Sequence, residues 1–298
     1  MQTKQQTLGG VISFSGKGLH TGVIVNMTVN PSAENTGIVF RRIDLEGQPS
    51  VPALCEYVTD TSRGTTIEKG EAKVSTIEHI VSALWTMGVD NALIDIDGPE
   101  APIMDGSAKE YAAEIARVGT LEQDAERNYM EIGEEYLFEI PKKGVSVKIT
   151  PAEEYSVDVT VDYASQVVGI QHHRYDSSVD YAAEIAPCRT FVFLHEIELL
   201  LKLGLIKGGS VESAMVVVEK PISESTRKAI CKRFGRDDIE VERGYLTHAP
   251  LRFENEIARH KLLDILGDLA LLGRRIKGHV EALRPGHYAN TQMAQELE

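Results

Sequence analysis

Ser75-Thr76-Ile77-Glu78-His79-Ile80-Val81-Ser82-Ala83-Leu84-Trp85-Thr86-Met87-Gly88, followed at once by Ala92-Leu93-Ile94-Asp95-Ile96-Asp97, sets helix against strand and decides the class of fold. Ile77, Ile80, Val81, Leu84 and Trp85 recur at spacings of three and four, which predicts a helix from Ser75 to Met87 with Gly88 as its stop. The segment after it alternates as a strand does. Upstream, from Val11 to about Ile96, short apolar segments are separated by turn residues, and Val23 to Val29 reads as a strand closed by Asn30-Pro31. Downstream, Ser107 stands where an N-cap would open a second helix from Ala108 to about Val118. The order is strands, helix, strand, helix.

The polar stretch Thr120 to Asn128 predicts a boundary, because strand-like alternation restarts after it in Tyr136 to Ile140, Val145 to Ile149 and Val157 to Tyr163. A long helix follows late, from about Glu254 to Leu272. A chain of 298 residues is long enough for two domains. The expected class is therefore α+β, with domains at 1–124 and 125–298 of similar layered sheet-and-helix architecture. Within the second, at about 187–218, Thr190 to Leu194 reads as a strand and His195 to Leu203 as a helix carrying Ile197, Leu199, Leu200 and Leu201. Gly204 and Gly208-Gly209-Ser210 then turn the chain into Ala214 to Val218. This βαβ insert is either an ordinary packing unit or the wall of an apolar channel.

Composition narrows the function. Lys plus Arg number 31 against 45 Asp plus Glu, a net charge of -14 that repels nucleic acid and anionic lipid. Cys55, Cys188 and Cys231 are odd in number and unpatterned, which excludes a disulfide framework or a CxxC zinc knuckle and fits a reducing cytoplasm. Residues 1–8 lack the apolar core of a signal peptide, and no stretch approaches a membrane span, so a soluble, cytoplasmic protein is expected.

Several constellations have chemical potential. His260, Asp264 and Asp268 are each four apart and share one helix face, where an imidazole and a carboxylate can chelate zinc or simply pair with each other. Ser75 and Glu78 match a capping box, yet Glu78 and His79 also suit a base beside a metal ligand. His287 follows a Pro285-Gly286 turn able to present an imidazole to a cleft. Gly16-Lys17-Gly18-Leu19-His20-Thr21-Gly22 matches neither GxGxxG nor a P-loop, and Asp95-Ile96-Asp97-Gly98 lacks the ligand series of a calcium loop.

Seven segments in order, Gly18-Leu19-His20-Thr21-Gly22, Ser75-Thr76-Ile77-Glu78-His79, Ile103-Met104-Asp105-Gly106-Ser107, Arg189-Thr190-Phe191, Gly208-Gly209-Ser210, Arg259-His260-Lys261-Leu262-Leu263-Asp264 with Asp268, and Gly286-His287, span nearly the whole chain. Together they resemble the zinc-dependent UDP-3-O-acyl-N-acetylglucosamine deacetylases of lipid A biosynthesis. The resemblance implies two α+β domains with helices of both packed around the site. It implies hydrolysis of the N-acetyl group of UDP-3-O-(3-hydroxyacyl)-N-acetylglucosamine, with release of acetate, as the committed step of that biosynthesis.

The same resemblance implies His79, His260 and Asp264 as ligands of one Zn2+, with Fe2+ as the competing ion in vivo, and a water in the open position. It implies Glu78 as general base, Thr190 as a partner of the developing oxyanion, His287 as the acid and Asp268 as the group orienting His287. Lys261 and His20 would contact substrate, Tyr163 the uracil, and Phe191, Leu194, Ile197, Gly209, Ser210 and Val216 the acyl chain. Ser62-Arg63-Gly64-Thr65-Thr66 departs from the apolar or cysteine-containing segment of many members. It is closer to the branch fused to a hydroxyacyl-carrier-protein dehydratase, a fusion the resemblance extends to the full-length protein; the chain itself, ending at Glu298, is expected to hold no second enzyme. Two alternatives are a zinc hydrolase of another N-acyl sugar and a non-catalytic nucleotide-sugar or acyl-chain sensor with a structural zinc.

Overall fold

A computed structural model describes residues 3–202, 207–210, 213–237, 239–247 and 251–298. Among these the helices are α1 (Glu78–Thr86), α2 (Lys109–Val118), α3 (Tyr181–Glu184), α4 (Leu194–Lys202), α5 (Glu224–Phe234), α6 (Glu256–Ala270) and α7 (His287–Glu296). The protein is α+β, as its element order predicts. None of the helices among the described residues is long and apolar enough to cross a membrane.

Two five-stranded sheets have one topology. In the first, the strands lie in the order Ile12–Lys17, Ile24–Pro31, Ala92–Ile96, Ile38–Arg42, Ser50–Pro52. In the second the order is Tyr136–Ile140, Val145–Thr150, His279–Leu283, Ser156–Asp162, Ile170–Tyr175. Each runs antiparallel, antiparallel, parallel, antiparallel across the sheet. In each, the last strand in sequence enters the centre, with Ile94 opposite Phe40 in one and Ala282 opposite Val159 in the other. α1 and α6 hold the same place before that central strand, and α2 and α7 the same place after it. The chain thus repeats one supersecondary unit, a likeness visible earlier only as element order.

The repeats meet through α1 and α6. Every residue of α1 from Glu78 to Trp85 is buried, and in α6 only Arg259 and Lys261 are not. Helices buried nearly all round belong to the centre of a molecule, and one hydrophobic core runs from Leu8 through Ile80, Leu84, Leu263 and Leu266 to Leu297. Gly267 permits the contact, since a Cβ there would stand 2.2 Å from the Glu78 carbonyl oxygen.

Three local expectations are corrected. α1 begins at Glu78 rather than Ser75 and no capping box forms, because Ser75 Oγ donates to the Pro99 carbonyl and the Glu78 carboxylate accepts from Thr65. Thr120–Glu126, where the boundary is expected, is a strand that pairs antiparallel with Lys4–Leu8, so residue 124 falls inside it. Backbone pairing makes that strand while most of its side chains stay in water, and apolar patterning carries no trace of it. The insert is larger than 187–218: Phe191–Phe193 and Met215–Val217 pair in parallel as predicted, but Tyr245–Thr247 and Glu240–Glu242 continue the sheet. α5 and a second small core of Leu194, Val216, Val218, Ile230, Ile239 and Leu246 complete it. Leu203 and Gly204, and the side chains of Leu200 and Leu201, lie outside the described residues.

Candidate active site

Glu78 and His79 open α1, while His260, Asp264 and Asp268 descend one face of α6. His79 Nε2 stands 3.9 Å and His260 Nε2 3.4 Å from Oδ1 of Asp264. One donor atom from each lies within 4.8 Å of the others, and no second such group occurs among the described residues. His260 Nδ1 is 3.0 Å from the Cys188 carbonyl, which only accepts, so the proton sits on Nδ1 and the Nε2 lone pair faces the cleft. Burial, reinforced by the neighbouring imidazole, pushes His79 down to about 3, and burial lowers His260 as well.

Asp264 behaves oppositely. Burial opposes its charge, but His260, Lys261, His287 and His79 outweigh that and hold the carboxyl well below the usual carboxylate range. Oδ2 accepts from Lys261 Nζ at 2.8 Å, whereas Oδ1 is buried with no hydrogen-bond partner. An orphaned carboxylate oxygen between two neutral imidazole nitrogens fits a divalent cation. Two nitrogens and one oxygen also leave a coordination position open, which a structural site would close with a fourth protein ligand.

Glu78 is 4% exposed and accepts from the Thr65 backbone N–H at 2.9 Å. Burial, with the charges of Asp264 and Asp268 adding to it against His287, pushes its pKa up to about 7. A Cβ on Gly64 would stand 2.9 Å from Glu78 Oε1, so glycine lets this loop lie against the carboxylate. His287, the first residue of α7, faces it with Nε2 3.8 Å from Glu78 Oε1. Its Nδ1 is 2.9 Å from Asp268 Oδ2. Burial disfavours the imidazolium, yet Asp268, Asp264 and Glu78 together raise its pKa to about 10. Asp268 is itself fixed by Thr65 Oγ1 at 2.6 Å and Asn290 Nδ2 at 2.8 Å.

Glu78, His79, His260, Asp264 and His287 line a cavity of about 200 Å³ whose wall includes Thr190, Phe191 and Lys261. Thr190 is set by its backbone, which donates to Gly106 O at 2.7 Å and accepts from Met215 N at 2.8 Å. Lys261 Nζ lies over the Phe191 ring at 5.6 Å from its centroid. A second cavity of about 700 Å³ shares Leu19, Ser62, Arg63, Thr190 and Phe191 with the first and continues past His20, Ile197, Gly209, Ser210 and Val216. The insert is thus a packing unit and a cavity wall at once.

Two predicted contacts are placed elsewhere. Leu194 is absent from that wall, because it turns the chain from strand into α4 and is buried with Val218 and Ile230. Tyr163 borders neither cavity and packs edge-on against Phe191 at 5.5 Å and Phe193 at 5.7 Å. Conversely, Thr65 and Asn290 escaped the sequence reading. Asn290 lies one turn beyond His287, so a helix predicted there would have brought it forward; Thr65 acts partly through its backbone, which carries no residue-type signal.

A family model described as LpxC, UDP-3-O-acyl N-acetylglycosamine deacetylase, matches residues 5–230 and 239–298. The chain is 44% identical over 295 residues to the bifunctional enzyme LpxC/FabZ of Bacteroides thetaiotaomicron, a match covering 99% of this chain and 64% of that relative. It is 38% identical over 301 residues to the UDP-3-O-acyl-N-acetylglucosamine deacetylase of Myxococcus xanthus, covering 98% of this chain and 86% of that protein. The chain therefore spans less than two thirds of the bifunctional relative and most of the monofunctional one.

Proposed function

The chain belongs to the UDP-3-O-acyl N-acetylglycosamine deacetylase family, and from that premise we propose that it hydrolyses the N-acetyl group of UDP-3-O-(3-hydroxyacyl)-N-acetylglucosamine, releasing acetate, with one zinc ion held by His79, His260 and Asp264. The observation that carries this is the unpartnered, buried Oδ1 of Asp264 between two neutral histidines, with a carboxylate and an imidazolium beside it. When bound there, zinc supplies Lewis acidity toward the amide carbonyl and toward water.

The chain's own residues divide the remaining work. Glu78, with a pKa near neutrality, accepts the proton of the attacking water. The Thr190 hydroxyl, in the cavity wall, is available to the carbonyl oxygen as negative charge develops on it. His287 enters protonated and gives its proton to the amine nitrogen as the C–N bond breaks, leaving acetate and the free amine. Asp268 holds the His287 ring and favours its charge. Lys261 contacts the polar part of the substrate, His20 contacts it from the wall of the larger cavity, and Tyr163 backs the Phe191 ring. The acyl chain lies along Phe191, Ile197, Gly209, Ser210 and Val216, each buried methylene contributing about 0.8 kcal/mol.

The test is acetate release from that substrate by the purified protein, before and after chelation and then with zinc restored. Activity should vanish and return. Glu78→Ala run in parallel should keep its zinc and lose roughly 10²-fold or more in turnover. No acetate from folded, zinc-loaded protein would overturn the assignment and direct attention to another N-acyl sugar; loss of zinc in the variant would make Glu78 a ligand or a structural group.

A further inference from the structure

Glu100 is fully buried, borders neither cavity and has no part in the chemistry above. Its carboxylate nevertheless collects donors from both elements that frame the site. Oε2 accepts from Thr21 N at 2.9 Å and Thr21 Oγ1 at 2.7 Å, and Oε1 from His20 N at 3.0 Å and Thr76 Oγ1 at 3.0 Å. The turn it grips, Gly18 to Gly22, joins the Ile12–Lys17 and Ile24–Pro31 strands. A Cβ on Gly18 would stand 2.3 Å from Glu100 Oε2, so glycine is needed for the turn to close on the carboxylate.

Each grip leads to a working part. From the turn, Leu19 lines both cavities and His20 the larger. His20 Nε2 bonds to the Arg63 carbonyl at 3.0 Å, which ties the turn to the loop whose Gly64 and Thr65 press on and hydrogen-bond to Glu78. The other grip is on Thr76, two residues before Glu78. Thr76 adopts φ +57°, a left-handed conformation costly for a β-branched residue unless its surroundings impose it. Glu100's neighbours complete the hold, with Ser75 N donating to Pro99 O at 3.0 Å and Ala101 N to Ser75 O at 3.0 Å.

We infer that Glu100 is a positioning residue for the deacetylase site: through Thr76 it sets where α1 begins and Glu78 points, and through Thr21 and His20 it holds the turn that roofs the acyl-chain cavity. Because the two grips end on different functions, they separate kinetically. Misplacing a base by a fraction of an ångström lowers kcat, whereas loosening a cavity roof weakens binding and raises KM.

The experiment compares Glu100→Gln, Thr76→Val, Thr76→Ser and Thr21→Val in the full chain with zinc loaded. Kinetics on the substrate proposed above are read together with metal content and amide hydrogen exchange. Thr76→Val should lower kcat by roughly 10- to 100-fold with KM little changed, and Thr76→Ser, which keeps the hydroxyl, should restore it. Thr21→Val should raise KM with kcat preserved, and Glu100→Gln should do both while retaining zinc. The amides of His20, Thr21 and Thr65 should exchange faster in Glu100→Gln.

Zinc-loaded Glu100→Gln with kcat and KM within about two-fold of the unsubstituted chain would overturn the inference, as would equal losses in Thr76→Val and Thr76→Ser. If Glu100→Gln does not fold, the two threonines decide the matter. An unsubstituted chain that releases no acetate would instead sink the deacetylase assignment, and the exchange rates, which need no substrate, would still judge Glu100.

Discussion

Three carboxylates face the imidazole of His287, and their field overrides the burial that opposes its charge. Its pKa in the folded, metal-free protein stands at about 10 against 6.5 for the ordinary side chain. A raised pKa means that the folded state holds the proton more tightly. The resulting stabilisation is complete below about pH 6.5 and is lost as pH rises through about 10. Glu78, raised from 4.5 to about 7, has the same sign over a lower window. Below about pH 6.5 the lowered His79 and His260 act in the opposite direction to Glu78, so the chelated protein should lose thermal stability chiefly from about pH 7 to about pH 10, a decline missing in His287→Gln. Melting temperatures of the two proteins across that range check this, and identical slopes above neutrality would place the charge elsewhere. At this scale residue types were legible and roles were not: Glu78 suited a capping box as well as a base until Thr65 and Gly64 were seen against its carboxylate.

Between elements, the site depends on how closely α1 and α6 approach. The contact is backbone against backbone at Gly267, where a Cβ would collide with the Glu78 carbonyl oxygen at 2.2 Å. Gly267→Ala ought to raise helix propensity, yet here the added methyl must push α1 away. A loss of about 1–3 kcal/mol, the usual cost of overpacking, is expected in denaturant unfolding, together with weaker zinc binding because His79 moves relative to His260 and Asp264. Unchanged stability and affinity would show that the helices have slack. The long apolar periodicities of these helices made them easy to place. The strand Thr120–Glu126 was not, since it is held by pairing with a segment more than a hundred residues earlier and buries little.

For the molecule as a whole, duplication accounts for where the site lies. Equivalent helices of the two repeats face each other, and each contributes what the other lacks: α1 the proposed base Glu78 and one proposed ligand, His79, and α6 the proposed ligands His260 and Asp264 with Asp268, the partner of His287. An ion bound there ties the two halves together, so its removal should register in global stability as well as in activity. At a free zinc concentration 100-fold above Kd the gain is about 2.7 kcal/mol, which for a protein of this size moves Tm by several degrees. Calorimetry with and without chelator measures it; His79→Ala should be insensitive to chelator, and an equal shift in that variant would locate the stabilising ion at another site.

The sequence by itself determined the α+β class and most element positions, because periodicity and turn residues are local properties of the chain, whereas spacing alone left His260 with Asp264, and Glu78, open between a structural and a chemical reading. Only the tertiary structure decided that Glu78 caps no helix and lies buried beside His287, that Leu194 and Tyr163 stand off the walls of the two cavities at the site, and that Thr65 and Asn290 hydrogen-bond to Asp268. Those outcomes follow from exclusion of water and from close backbone approach between segments far apart in sequence, which no local pattern encodes.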